Sequence, residues 1–195
     1  MSFSNNVWWT RKSRIQAEKR LLDNAVQSEI LLLWYSFFGV ATSIYYLKFS
    51  TNGDLAGISW VIYSVLLLAI TGFVSGRSFK GRAELFKDSY EALQPIYEKT
   101  RVEDYDIESA TKEYESILGL CENHADIDYT IALCKEYSTS HLPAEKDTKL
   151  KPNLDRRPTW YHWVCFVRWI ALRYVTLILL YTLPVLLFAA TRAFS

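Results

Sequence analysis

Two stretches of this sequence carry no charged residue for as long as a bilayer is thick. Ile30 to Leu47 runs 18 residues and Leu55 to Val74 runs 20. At 1.5 Å per helical residue, such runs match the roughly 30 Å of hydrocarbon in a membrane. The overall figures, 50% hydrophobic and 22% charged, resemble an ordinary soluble protein only because they average over unlike segments. The clustering of apolar residues excludes a fully soluble globule.

What surrounds these runs sets the topology. Ser13 and Gln16 have the S-x-x-Q spacing of a capping box, in which each side chain satisfies an orphan backbone donor. The spacing predicts one long helix from about Ser13 to Leu47, cytoplasmic in its first half and membrane-spanning in its second. Ile15, Leu22, Val26 and Ile30 step along one face of it, so the first half is amphipathic. Ser50, Thr51, Asn52 and Gly53 supply turn chemistry for an antiparallel hairpin. Five Lys/Arg precede the first span, only Lys48 lies in the loop, and Arg77, Lys80 and Arg82 follow the second span. The excess of cations at both ends of the hairpin places those ends, the N-terminus included, in the cytoplasm. No cleavable signal precedes the first span, which is expected to remain as an anchor.

Beyond residue 82 the pattern changes. Ala83, Phe86, Tyr90, Leu93 and Tyr97 repeat at 3-4-3-4 spacing, as do Ile107, Ala110, Tyr114, Ile117 and Cys121. Each helix so formed has one narrow apolar seam that needs a partner. Phe86, Tyr90, Leu93, Tyr97, Tyr114 and Ile117 are expected to pack on each other and on neighbouring copies of the chain. Pro95 is expected to end or kink the first helix, and a further helix is expected from Asp126 to Tyr137. Residues 138–158 read as a linker. Trp160, Tyr161, Trp163 and Trp169 then mix with Arg156, Arg157, Arg168 and Arg173, the composition of a membrane interface. Tyr174 to Ala190, 17 uncharged residues broken only by Pro184, is either a third span or a helix lying in the interface. The expectation is an all-α membrane protein in three consecutive parts. Residues 1–82 hold the basic helix and a hairpin with spans at about 30–47 and 55–74. Residues 83–158 form a cytoplasmic helical region and linker. Residues 159–195 hold the interfacial segment and the third span.

For catalysis the sequence offers little. It lacks GxGxxG, Walker, GxSxG and HExxH patterns, so no catalytic residue and no cofactor is assigned. Cys121, His124, Cys134 and His141 are the nearest approach to a metal set, but their spacing matches no compact zinc pattern. Cys121 reads instead as a seam residue and His124 as a helix-end cation. Glu103, Asp104, Asp106, Glu108, Glu113 and Glu115 read as a solvated acidic surface at a helix start, with docking of a basic partner as the alternative. Three cysteines with no CxxC spacing point to free, cytoplasm-facing thiols. A net charge of +1 excludes a strongly basic nucleic-acid protein.

The spans themselves are more informative. Gly57, Ser64 and Thr71 lie seven apart in the second, with Ser75 one turn further. The first has a similar stripe in Ser36, Gly39 and Ser43, and Gly72 and Gly76 form a GxxxG. Small and hydroxylated residues either let helices approach closely or line a narrow conduit once several hairpins assemble. Neither span carries a central ionisable residue, so a proton relay or selective transporter is not indicated. On the cytoplasmic helix, Arg11, Lys12, Arg14, Lys19 and Arg20 are expected to meet anionic headgroups, each worth about 1 kcal/mol near the surface. Binding of an anionic ligand is the alternative for the same face.

WTRKSRIQAEKRL at 9–21 and ILLLWYSFFGVATSIY at 30–45, then a short polar turn and a second span, resemble the SLATT family. YEALQPIY at 90–97 and EYESILGLCENHADIDY at 113–129 are similar in style. SLATT proteins (SMODS and SLOG-associating two-transmembrane effectors) are small bacterial membrane effectors associated with nucleotide-sensing and nucleotide-making immune genes. The resemblance covers most of residues 9–130, through structural motifs alone. It implies an antiphage effector of the bacterial inner membrane that oligomerises and disrupts the bilayer by pore formation. Abortive infection would follow once a separate sensor or nucleotide-processing protein, encoded nearby, detects the phage. The alternative is a membrane anchor that recruits a soluble immune partner and conducts nothing.

Overall fold

A computed structural model of the chain describes residues 2–49, 54–101, 105–140, 151 and 154–193. Its order is α1 (Phe3–Phe49), α2 (Asp54–Gly76), α3 (Phe79–Lys99), α4 (Ile107–Leu118), α5 (Asp126–Thr139) and α6 (Trp160–Ala193). The turn expected at 50–53 lies outside the described residues. The helices group into two compact units: residues 1–22 with 79–171, and residues 23–78 with 172–195. Each unit draws on separate stretches of the chain, where the sequence reading divides it into three consecutive parts. Helix α1 contributes its beginning to one unit and its remainder to the other.

The first unit is built around the start of α1. That helix begins ten residues before the expected capping box. Val7 and Trp9, both buried, give residues 3–12 apolar contacts that reward helix formation. Ser13 is consequently mid-helix and donates its hydroxyl to the Trp9 carbonyl at 2.9 Å. Gln16 turns its Oε1 to the Lys135 ammonium at 2.9 Å. Ala17 and Leu21 pack on Ala83 and Phe86 of α3. Val7 packs on Leu93 and Ile96, with Phe3, Tyr97, Tyr114 and Ile117 at the edge. Trp9 packs on Leu133 and Leu154, and its indole N–H donates to Asp155 at 2.6 Å. Each large aliphatic or aromatic side chain so buried contributes roughly 1.5–3 kcal/mol. This packing also carries α3 past Pro95 to Lys99, because Leu93 and Ile96 on either side of the proline are both in the core. The start of α4 is capped by the Asp106 carboxylate, which accepts from the Glu108 N–H at 3.0 Å.

The second unit inverts the usual rule of burial. Leu33, Phe37, Leu47 and Leu68 point outward, Leu47 with 89% of its surface free. Phe3–Phe49, Trp60–Lys99 and Trp160–Ala190 each contain an 18-residue stretch long and apolar enough to cross a membrane. Apolar surface this continuous is tolerated only where hydrocarbon is the solvent. The chain is an all-α membrane protein, with a third such helix beyond the hairpin. Within this unit α2 runs antiparallel to α1, with Tyr63 against Gly39 and Trp60 against Tyr46 at 6.0 Å between rings. Helix α6 runs parallel to α1. Arg173 pairs with Asp23 at 3.4 Å, the Tyr181 hydroxyl donates to Gln27 at 3.1 Å, and Phe188 packs on Phe38 and Tyr45.

Candidate functional site

On the face of α1 away from α6, the hairpin encloses an open groove of about 500 Å³. The i, i+3, i+4 rhythm of a helix brings Ser36, Gly39, Val40, Ser43 and Ile44 to one side of α1. From α2 the groove takes Tyr63, Ser64, Leu67, Leu68 and Thr71. Its narrow waist is at Gly39, where an added Cβ would stand 3.1 Å from the Tyr63 ring. The Tyr63 hydroxyl donates across the waist to the Tyr35 carbonyl at 2.9 Å, and the two tyrosine rings stack at 4°. Sequence reasoning passed over Tyr63, although a glycine on one span facing a bulky side chain on the other is the signal it leaves.

Four hydroxyls enter this groove, and each donates to the carbonyl one turn back in its own helix. Ser36 bonds Leu32 at 2.8 Å, Ser43 bonds Gly39 at 2.8 Å, Ser64 bonds Trp60 at 2.9 Å and Thr71 bonds Leu67 at 2.7 Å. With the proton committed to the backbone, each oxygen offers only acceptor lone pairs outward. The groove is therefore a weakly polar stripe of acceptors in an apolar wall, without a charge of its own. Ser36, Gly39, Ser43, Ser64 and Thr71 are thus brought together. Ser75, Gly72 and Gly76 are exposed and line no part of the groove, and a Cβ at either glycine would meet nothing within 4 Å. The side chain of residue 57 lies outside the described set.

The basic face of α1 corrects the sequence expectation. Of Arg11, Lys12, Arg14, Lys19 and Arg20, only Lys19 is exposed. Arg14 is 0% exposed, and its guanidinium donates to the Ile117 and Leu118 carbonyls at 3.2 and 3.3 Å. Those are final carbonyls of α4, past the last i+4 donor of the helix and at the negative end of its dipole, and Ile117 accepts in addition from the Leu120 N–H at 3.2 Å. Burial draws the Arg14 pKa down, opposed by Cys121 and Tyr114. Arg20 makes a two-point ion pair with buried Asp128 at 2.8 and 2.9 Å, which raises its pKa. Lys12 bonds Glu136 at 2.7 Å. Lys12, Arg14 and Arg20 thus hold α4 and α5 to α1, while Lys19 stays exposed. The seams are corrected likewise. Phe86 and Leu93 are buried inside the chain, and Tyr97, Tyr114 and Ile117 edge the Val7 cluster, while Tyr90 is half-buried. Within one chain the start of α1 covers these seams, which the sequence leads one to expect packed on each other and on neighbouring copies.

The other candidates disperse. Cys121 packs beside the Ala17 cluster, and burial pushes the Cys134 thiol up to about 11, so it is unreactive. His124 has its pKa lowered by burial, an effect that Asp128 opposes and Arg14 reinforces. It is a largely neutral ring rather than a helix-end cation. Among the described residues, no three His, Cys, Asp or Glu side chains group as a metal site requires; His141 lies outside them. Glu108 pairs with Lys112 and Glu113 with Lys99 on the surface, while Glu103 and Asp104 lie outside the described residues.

Compared with known proteins, residues 1–191 match the model of one family, described as SMODS and SLOG-associating 2TM effector domain family 5. No curated protein and no solved structure matched.

Proposed function

The chain belongs to the SMODS and SLOG-associating 2TM effector domain family 5, and on that premise we propose that it is a bacterial antiphage effector that acts without catalysis by permeabilising the inner membrane. The hydroxyl-lined groove is the observation that carries this reading. Helices α1 and α2 together present Ser36, Ser43, Ser64 and Thr71 on a face that α6 leaves open. When several copies associate through that face, the four acceptor oxygens of each come to line a shared path. Close approach of helices at small residues favours the association, and water or a hydrated cation needs only acceptors to pass. With no charged side chain in the groove, the path discriminates little between ions. In this reading the N-terminus is cytoplasmic by the distribution of Lys and Arg. The trigger comes from a separate sensor or nucleotide-processing protein, and depolarisation ends in abortive infection. No direct contact with nucleic acid is involved.

A second reading, a membrane anchor that recruits a soluble partner, is favoured by one observation. Each serine and threonine hydroxyl of the groove already has its proton bound within its own helix, and the Tyr63 hydroxyl gives its proton to α1, which suits tight packing without water. The two readings separate on Ser64→Leu combined with Thr71→Leu, expressed in bacteria with a voltage-sensitive dye. The pore reading expects the parent chain, with its neighbouring genes and phage present, to depolarise the cell, and the double variant to lose this. Retained depolarisation in the double variant overturns it. Charge reversal at Glu103, Asp104 and Glu108, with the Asp106 cap left in place, abolishes toxicity where a partner docks on this cluster and then supports the anchor instead.

A further inference from the structure

Helix α6 contains Pro184, and its side chain is fully buried. Proline has no N–H, so the carbonyl four residues back, that of Leu180, loses its helical donor, and the ring pushes the preceding turn open. In hydrocarbon no water is present to fill the vacancy. The structure fills it with side chains. The Tyr35 hydroxyl donates to the Leu180 carbonyl at 2.9 Å, and the Trp34 indole N–H donates to the next carbonyl, Tyr181, at 3.1 Å. From within α6 the Thr182 hydroxyl covers the two preceding carbonyls, Ile178 at 2.8 Å and Leu179 at 3.2 Å. Three side-chain donors therefore serve the four successive carbonyls of the turn before Pro184, the single Thr182 proton being shared between Ile178 and Leu179. Two of those donors are consecutive residues of α1. The Tyr35 carbonyl in turn accepts from Tyr63 of α2, so residue 35 joins all three membrane-spanning helices.

We propose that Pro184 is a latched hinge, with Tyr35 as the latch and Trp34 as its second. While Tyr35 supplies the hydrogen bond that residue 184 cannot, the end of α6 stays seated on α1, with Phe188 against Phe38 and Tyr45. When the tyrosine lets go, the Leu180 carbonyl is left bare, the turn before Pro184 opens, and the last turns of α6 swing away from α1. This device is independent of whether the groove conducts.

The hydrogen-bond geometry makes an unusual demand on the variants. Pro184→Ala restores an N–H at 184, which then takes the Leu180 carbonyl and makes the Tyr35 hydroxyl redundant. The full chain in detergent micelles is unfolded by SDS titration as the parent, Tyr35→Phe, Pro184→Ala and the double variant. Tyr35→Phe is expected to shift the unfolding equilibrium about threefold toward the unfolded state in the parent background, and not at all with Ala at 184. An equal shift in both backgrounds, or none in the parent, overturns the latch. Where Tyr35→Phe alone yields no folded protein, the Tyr35→Phe/Pro184→Ala double variant is expected to fold again, because the N–H at 184 then serves the Leu180 carbonyl, and a double variant that still fails to fold overturns the latch. Spin labels attached through Leu47→Cys and Arg192→Cys, with the native cysteines changed to Ala, report the hinge. Their distance distribution is expected to gain a longer component in Tyr35→Phe and to lose it in Tyr35→Phe/Pro184→Ala. A distribution unchanged by Tyr35→Phe overturns the hinge.

Discussion

Substituting Asp128 by Asn tests whether the cations of α1 hold the first unit together or meet the membrane. Asp128 is 0% exposed. One carboxylate oxygen accepts from Arg20 Nε at 2.8 Å, the other from Nη2 at 2.9 Å and from the Ala125 N–H at 2.9 Å. Asn keeps one acceptor but turns an NH₂ toward the guanidinium, so a donor faces donors and the buried pair loses its charge. Removing one partner of a buried ion pair costs about 3–5 kcal/mol. The Arg20 side chain is 21% exposed, and water reaching it recovers part of the loss, so the lower end of about 3 kcal/mol applies. For a unit of this size that lowers the melting temperature by about 12 °C, read by near-ultraviolet circular dichroism of the full chain in detergent. Arg20→Met with Asp128→Leu leaves no charge unpaired and is expected to recover most of the loss. An Asp128→Asn variant within about 0.5 kcal/mol of the parent, the ordinary range for surface substitutions, refutes the reasoning. Anionic-vesicle binding that falls with Arg20→Met but not with Asp128→Asn then returns this helix to the membrane surface.

Two further outcomes follow from local geometry. Burial holds the His124 pKa below its ordinary value, so between the two values the unfolded chain binds more protons than the folded one. Stability of the first unit is then complete above about pH 6.5 and falls as the pH drops through the folded value. Thermal unfolding at pH 7.5 and 5.5 is expected to show a larger loss in the parent than in His124→Gln, and equal losses would contradict the assignment. At Gly39 an added methyl stands 3.1 Å from a Tyr63 ring that is held by its own hydroxyl bond. Gly39→Ala is expected to cost about 1 kcal/mol and Gly39→Leu up to about 3 kcal/mol in SDS-titrated unfolding, and a Gly39→Leu chain as stable as the parent would show that the hairpin has no waist there.

Much of the membrane-spanning unit was legible in the sequence, because hydrocarbon imposes its demand locally. A run of 18 or 20 uncharged residues must be helical whatever its neighbours do, since each backbone group has to find its partner within the segment. The 3.6-residue period then lines up Ser36, Gly39 and Ser43, or Ser64 and Thr71, without any tertiary contact. The seam from Ile107 marks the helix at Ile107–Leu118, and the helix expected at Asp126–Tyr137 is found at Asp126–Thr139.

What tertiary structure decided was the partner of each face. A seam such as Phe86 and Leu93 states that something apolar must cover it, and Val7, Ala17 and Leu21, 65 to 86 residues away in the chain, meet that demand as well as a second copy would. A run of cations is equally ambiguous, because Arg14 and Arg20 look the same in sequence whether they face phosphates or the carbonyls of α4 and the carboxylate of Asp128. The helix extends back to Phe3, and the capping signal at Ser13 is overridden, because Val7 and Trp9 find a core to enter. Pro184 likewise reads as a flaw until Tyr35, remote in sequence, is seen to donate to the carbonyl it exposes. Local chemistry determines which groups must be satisfied. Only the fold determines which distant group satisfies them.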